Sequence, residues 1–253
     1  MERQFKLKKS TSKVSDHRHI LTLVSKSSQI ASEADLRPYM PHIYDQLEIG
    51  SCQSNAVGAL LEYNNVEITP SRLFIYYNVR EIENTIEMDS GGSLTDTIEA
   101  VKKYGAPDES LWAYIQGKFT MKPDDAAYVS AKPDTVIQAY ACETVDDIKL
   151  AVANKFPVAI GLLLHQSFES PQVAQTGIVP LPTDADPILG GHALVVVGYS
   201  DSRQCFIVRN SWGESWGDHG HCYVPYAYFT PDRAFDFWVV QSVVHEDSSM
   251  TKT

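Results

Sequence analysis

Three residue types that can cooperate in breaking an acyl bond follow one another along this chain as cysteine, histidine and asparagine. Cys52 comes directly after Gly50-Ser51 and opens an apolar run without a Gly-Pro break. The pattern predicts a helix whose first turn holds the thiol and whose cap is Ser51. A helix N-terminus favours an anion and lowers a thiol pKa, so Cys52 is a candidate thiolate nucleophile.

The two partners lie far downstream of the cysteine. His192 stands between a glycine pair and a run typical of a buried strand, and Asn210 opens the stretch Asn-Ser-Trp-Gly. An imidazole can move the thiol proton, and an amide can orient the imidazole. Each residue also has a structural alternative: an inert core thiol, a satisfied structural histidine and an ordinary turn asparagine.

The chain resembles the papain-like cysteine peptidases, the family that includes the cathepsins. The resemblance extends from about residue 34 to about residue 244 and depends on three blocks in the same order. The blocks are Gln46 with Gly50-Ser51-Cys52, then His192-Ala193 with Gly198-Tyr199, and Asn210-Ser211-Trp212-Gly213 with Trp216-Gly217. It implies an α+β, two-lobed fold with a helical N-terminal lobe, a β-barrel-like C-terminal lobe and the active-site cleft between them.

The resemblance also implies roles for four residues. Cys52 would attack the carbonyl, and His192 would hold the thiolate and then protonate the leaving amine. Asn210 would orient the imidazole, and Gln46 would form the oxyanion hole with the Cys52 N–H. The implied enzyme is a cysteine endopeptidase that acts through a thioester acyl-enzyme. The alternatives are an acyltransferase or deamidase on the same fold, or a catalytically silent relative that binds peptides.

Five further positions resemble the family's substrate-binding residues. The backbone of Gly91 and Gly92 would bind an extended peptide. Gly191 and Gly161 would leave a roomy apolar pocket, unless an aromatic side chain fills it; the candidates are Tyr228, Phe235 and Phe237. Trp212 would shield the contact between asparagine and histidine from water, or serve as a core aromatic residue.

The chain departs from the family pattern at several positions. Gln53 replaces the tryptophan that usually follows the nucleophile, and Ile49 replaces a cysteine whose usual partner would lie near 89–90. These differences indicate a divergent member of bacterial or viral type, and the missing bridge fits a reducing compartment. Cys205 and Cys222 flank the asparagine loop, and the sequence does not decide whether a disulfide joins them.

The organisation along the chain is a basic N-terminal segment, a peptidase domain over 32–245 and a tail over 246–253. The first thirty residues hold seven Lys or Arg against two acids, and residues 1–31 are a possible short pro-segment that lies across the cleft, as in a zymogen. The helical lobe would cover about 45–134 and the β lobe about 135–245. Predicted helices cover 52–64, 70–80, 94–104 and 145–154, and predicted strands cover 135–142, 158–164, 192–199, 205–209, 220–226 and 237–244.

Charge and composition limit the classes of molecule that the chain is expected to bind. The chain has 253 residues and a formal net charge of −11, which argues against nucleic acid or an anionic membrane as a partner. We expect a monomer that acts on a peptide or protein substrate, without a cofactor or a metal. No signal peptide or membrane-spanning segment is predicted, so a cytoplasmic protein or one exported by a signal-independent route is expected.

Overall fold

The computed structural model describes residues 3–24, 30–131 and 135–244. These ranges contain six α-helices, five short 3-10 helices and ten strands. The elements in chain order are β1 Leu7–Lys8, β2 Arg18–His19, β3 Glu33–Asp35, α1 Cys52–Asn64, α2 Arg72–Ile82, β4 Gly92–Ser93, α3 Leu94–Tyr104, α4 Asp125–Ala131, β5 Thr135–Cys142, α5 Val145–Ala153, β6 Val158–His165, α6 Pro171–Thr176, β7 Ile188–Ser200, β8 Cys205–Arg209, β9 His221–Pro225 and β10 Ala234–Val244.

Most of the strands form one mixed sheet in the order β2-β5-β10-β6-β7-β8-β9, and β3 pairs with β7. All neighbours are antiparallel except the parallel pair β2 and β5. The prediction of an α+β fold is confirmed. Within the described residues the strand pairing follows an open path and does not close into a barrel. The division into lobes at residue 134 stays a prediction.

Helix α1 is the element that fixes the position of the thiol. Eleven of its thirteen residues are buried, and it packs against α2, α3 and the strands β6, β7 and β10. A helix that is buried on all sides needs small and apolar residues throughout, and Ala56, Val57, Ala59 and Leu60 supply them. The predicted range 52–64 is confirmed.

The predicted start of α2 is wrong by two residues, whereas the predicted end of α3 is confirmed. Helix α2 begins at Arg72 and not at Pro70, because the Ser71 side chain caps it by accepting a hydrogen bond from the Phe74 N–H at 3.2 Å. Helix α3 ends where the sequence predicts, because Gly105 adopts φ 73°, which a residue with a Cβ rarely adopts.

Three further predictions concern the cysteines, the C-terminal tail and membrane-spanning helices. All four cysteines are free. Cys205 and Cys222 lie on paired strands, but the register sets Cys205 opposite Pro225 and Cys222 opposite Val208, so they do not face each other. The predicted tail over 246–253 lies outside the described residues. Among the described helices, none has the length and apolar character needed to cross a bilayer.

Candidate active site

The thiol of Cys52 lies at the first residue of α1 and is fully buried. Ser51 occupies the N-cap position as predicted, but its side chain makes no capping bond. Its hydroxyl is 2.6 Å from the Tyr114 hydroxyl and accepts from the Asn55 amide at 3.1 Å. The thiol is 3.6 Å from Oε1 of Gln53, the residue that replaces the family's tryptophan. Gln53 is therefore a buried polar neighbour of the thiol.

Strand β7 and the loop after β8 bring His192 and Asn210 together. His192 Nε2 is 2.8 Å from Asn210 Oδ1, and both side chains are buried. The same Oδ1 accepts the Ser211 backbone N–H at 2.8 Å, which identifies it as the carbonyl oxygen. His192 Nε2 therefore carries the proton that is donated, and in the neutral ring Nδ1 is an acceptor. Within the described part of the chain, that buried Nδ1 has no hydrogen-bond partner.

Trp212 forms the wall beside this pair. Its ring lies 4.9 Å from the His192 ring at an angle of 31°, and only 5% of the residue is exposed. Trp216 meets it edge to face at 4.9 Å, and Phe168 stacks on Trp216. This aromatic cluster packs against the His192 ring, and the role of Trp212 in shielding the contact from water stays a prediction.

Gln46 is buried next to the first turn of α1, and its side chain is held at both ends. Its Oε1 accepts the Ser211 hydroxyl at 2.7 Å, and its Nε2 donates to the Ile49 carbonyl at 3.1 Å. An amide nitrogen carries two hydrogens, so one N–H remains beyond the bond to Ile49. The amide is fixed in orientation near the helix start, which an oxyanion donor requires.

Residues 3–9, here called the cleft segment, run between the helical and the sheet elements of the site. Leu7 and Lys8 pair in parallel with Gly92 and Ser93 of β4, and Lys6 forms a parallel bridge with Gly191 of β7. Residues 3–9 therefore pair with both β4 and β7, and a role of the N-terminal segment as a pro-segment stays a prediction.

All five positions that the sequence assigns to substrate binding meet this segment. A Cβ on Gly91 would be 1.9 Å from the Lys6 carbonyl oxygen, and one on Gly191 would be 2.2 Å from that of Leu7. Gly92 pairs with Leu7, whose side chain also reaches Gly161. Trp212 meets the Phe5 ring at 6.0 Å and carries the Arg3 guanidinium over its face at 4.3 Å. The role of these positions toward a substrate stays a prediction.

The ionisation of the site differs from the simple helix-terminus expectation. Burial raises the pKa of the Cys52 thiol to about 12. The backbone N–H of Ala193 acts in the opposite direction and lowers this pKa, but its effect is smaller. Burial also lowers the pKa of His192 to about 4, and the nearby Arg3 charge lowers it further. With the cleft segment in place, the thiol and the imidazole are therefore both neutral at pH 7.

Sequence reasoning missed the two carboxylates that contact the cleft segment. Asp89 Oδ2 is 2.9 Å from the Lys6 ammonium, and Glu83 forms an ion pair with Lys8. The available signal was the basic stretch around Lys6 together with the acidic residues that precede Gly91. Asp89 also accepts the backbone N–H of Gly50 at 2.9 Å. It thus joins the irregular chain before α1 to the 83–90 loop, near the place where the family's disulfide is missing.

A family model and several sequence relatives show similarity between this chain and cysteine proteases. Residues 30–228 match the model of the papain family of cysteine proteases. A peptidase C1-like protein of Acanthamoeba polyphaga mimivirus is 39% identical over 215 residues, which are 79% of this chain and 69% of the relative. Peptidase 1 of Psoroptes ovis is 26% identical over 217 residues, and the chain spans 62% of its length.

Solved structures agree with the sequence relatives. Xylellain, a cysteine protease from Xylella fastidiosa, superposes with a TM-score of 0.83 at 30% identity. That match covers 96% of this chain and 99% of xylellain. Digestive procathepsin L 3 from Tenebrio molitor superposes with a TM-score of 0.67 at 20% identity, covering 92% of this chain and 75% of the other, and shares the fold.

Proposed function

Because the chain belongs to the papain family of cysteine proteases, we propose that it is an endopeptidase with a Cys52–His192–Asn210 triad. The observation that carries this proposal is the 2.8 Å hydrogen bond between His192 Nε2 and Asn210, in a site that also has a fully buried thiol at the N-terminus of α1. Within the described residues Nδ1 of that ring has no hydrogen-bond partner, and the backbone N–H of Ala193, the residue after the histidine, is among the groups that lower the pKa of Cys52.

The proposed reaction has two stages. His192 Nδ1 takes the proton of Cys52, and the thiolate forms a bond to the scissile carbonyl carbon. The Cys52 N–H and the second Nε2 hydrogen of Gln46 stabilise the oxyanion. When the C–N bond breaks, the imidazolium gives its proton to the leaving amine and a thioester remains. A water molecule that His192 deprotonates then attacks the thioester, and the carboxylic acid leaves as the C–S bond breaks.

The cleft segment supports a second part of the proposal, which is that the chain inhibits itself. Leu7 is 6% exposed, and the carbonyls of Phe5, Lys6 and Leu7 lie within 2.4 Å of the positions that a Cβ would take on glycines of the two walls. A substrate strand cannot enter while this segment is present. Activity then requires that the segment leave, either by displacement or by cleavage.

The function is tested by digestion of a reduced, unfolded protein with the full-length Leu7→Asp variant, whose new carboxylate disfavours the occupied cleft. We expect internal cuts, identified by mass spectrometry of the products. Conversion of side-chain amides to acids without cuts would instead show a deamidase. Transfer of the acyl group to an added amine would show an acyltransferase. Unchanged substrate would indicate a relative that only binds peptides.

A further inference from the structure

Two acidic side chains flank the apolar position in the centre of the cleft. Asp89 pairs with Lys6 at 2.9 Å and Glu83 pairs with Lys8, while Leu7 between them enters the pocket next to Gly161. The two carboxylates thus contact two residues of the segment that are separated by a single residue, and that residue enters an apolar pocket.

Both carboxylates also accept hydrogen bonds from groups outside the cleft segment. Asp89 accepts the Gly50 N–H at 2.9 Å and the Tyr76 hydroxyl, and Glu83 accepts the Ser93 N–H at 3.0 Å. These bonds remain when the lysines leave. Each side chain is mostly buried, with 18% of Asp89 and 10% of Glu83 exposed. A carboxylate in such a place is stabilised by a cationic partner, because burial penalises its charge.

The pocket next to Gly161 holds the leucine side chain of the cleft segment. A Cβ on Gly161 would be 2.5 Å from the Phe235 ring and 3.0 Å from a Leu7 methyl group. Phe235 therefore fills part of the space that the small glycine leaves, as the sequence allowed. The pocket is bounded by an aromatic wall and fits a leucine-sized group.

We propose that the cleft selects substrates that carry a Lys or Arg on each side of an apolar residue, with Asp89 and Glu83 binding the two cations. This inference rests on the proposed endopeptidase function and names its substrate class. The pattern basic–apolar–basic is the same in both chain directions. It therefore holds even if a substrate runs opposite to the cleft segment, which pairs in parallel with β4.

The test measures kcat/KM of the full-length Leu7→Asp variant on four quenched peptides that differ only at two positions. The peptides contain Lys-Leu-Lys, Lys-Leu-Gln, Gln-Leu-Lys or Gln-Leu-Gln. We expect each lysine to raise kcat/KM about tenfold, the size of one charge-assisted hydrogen bond in a partly buried site. The double variant Lys6→Glu and Lys8→Glu gives a second open form if Leu7→Asp fails to fold.

Charge removal in the same background assigns each preference to its carboxylate. Asp89→Asn and Glu83→Gln keep an oxygen acceptor for the backbone N–H groups and lose only the charge. Each is expected to abolish the lysine preference at one of the two positions and to leave the other ratio unchanged. Glu87→Gln is the matched control, because Glu87 is exposed on the same loop and should change neither ratio.

Equal cleavage of all four peptides, or preferences that survive both substitutions, would overturn the inference and leave the endopeptidase proposal intact. Digestion of the unfolded protein without cleavage of any of the four peptides would also overturn the inference and leave the endopeptidase proposal intact. If neither the protein nor any peptide is cut, the proposed function fails and the inference fails with it.

Discussion

Cys52→Ala in the Leu7→Asp background is expected to lower kcat/KM for peptide hydrolysis by at least about 10⁴-fold. Without the sulfur no thioester can form, and His192 and the oxyanion donors retain only the background rate. The side chain is small and buried at the start of α1, so alanine fits the same space. The measurement is steady-state hydrolysis, with folding followed by circular dichroism and urea titration.

Cys142→Ala is the matched control, because it removes another buried thiol, which lies on β5. It should keep most of the activity of the Leu7→Asp chain. If Cys52→Ala kept a tenth or more of the activity, Cys52 would not be the nucleophile. Loss of activity that accompanied unfolding would be repeated with Cys52→Ser, which leaves a hydroxyl of similar size.

Leu7→Asp is expected to raise kcat/KM of the full-length chain by about 100-fold. Burying a leucine side chain stabilises the occupied cleft by about 1.5–3 kcal/mol. The substitution also sets a new carboxylate between Asp89 and Glu83, in surroundings that are mostly buried. A shift of about 3 kcal/mol in the equilibrium of the cleft segment changes the open population by about a factor of 100. The measurement is kcat/KM on a fixed peptide against the unaltered chain.

Leu7→Met on the cleft segment and Thr11→Asp just beyond its end provide the controls. Leu7→Met conserves volume and apolar character, so it should stay inhibited. Thr11→Asp adds the same charge at an exposed position of the N-terminal segment and should also stay inhibited. If all three variants behaved alike, or if Leu7→Asp stayed as slow as the unaltered chain, the cleft segment would not be the block.

Much of the fold could be predicted from local signals in the sequence. Helix α1 and the end of α3 follow from an unbroken apolar run and from Gly105, whose positive φ closes the helix. The start of α2 could not be placed, because Ser71 and Pro70 are adjacent and each is a plausible helix start. The open path of the sheet depends on which strands pair at a distance, and alternation along one strand does not contain that information.

The sequence supplies candidate residues for the site but not their electrostatic surroundings. The three motif blocks identified Cys52, His192 and Asn210, and the structure brings His192 and Asn210 into contact. The helix-terminus argument predicted a lowered thiol pKa, whereas burial raises it to about 12. That burial comes from tertiary packing around the helix start, including the chain's own N-terminus. The partners Asp89 and Glu83 were missed because long-range ion pairs leave no spacing pattern.

The most direct test of the account is labelling with an epoxysuccinyl thiol reagent from pH 5 to pH 8, followed by intact mass and peptide mapping. At about pH 5–6 an ordinary thiol with a pKa near 8.5 is almost wholly protonated. In the Leu7→Asp chain we expect one adduct, on Cys52, that forms rapidly even at pH 5–6. In the unaltered chain it should form slowly, because the buried thiol and imidazole are both neutral there. An adduct on one of the other three cysteines, or no adduct in the Leu7→Asp chain, would contradict an activated Cys52 behind a removable cleft segment.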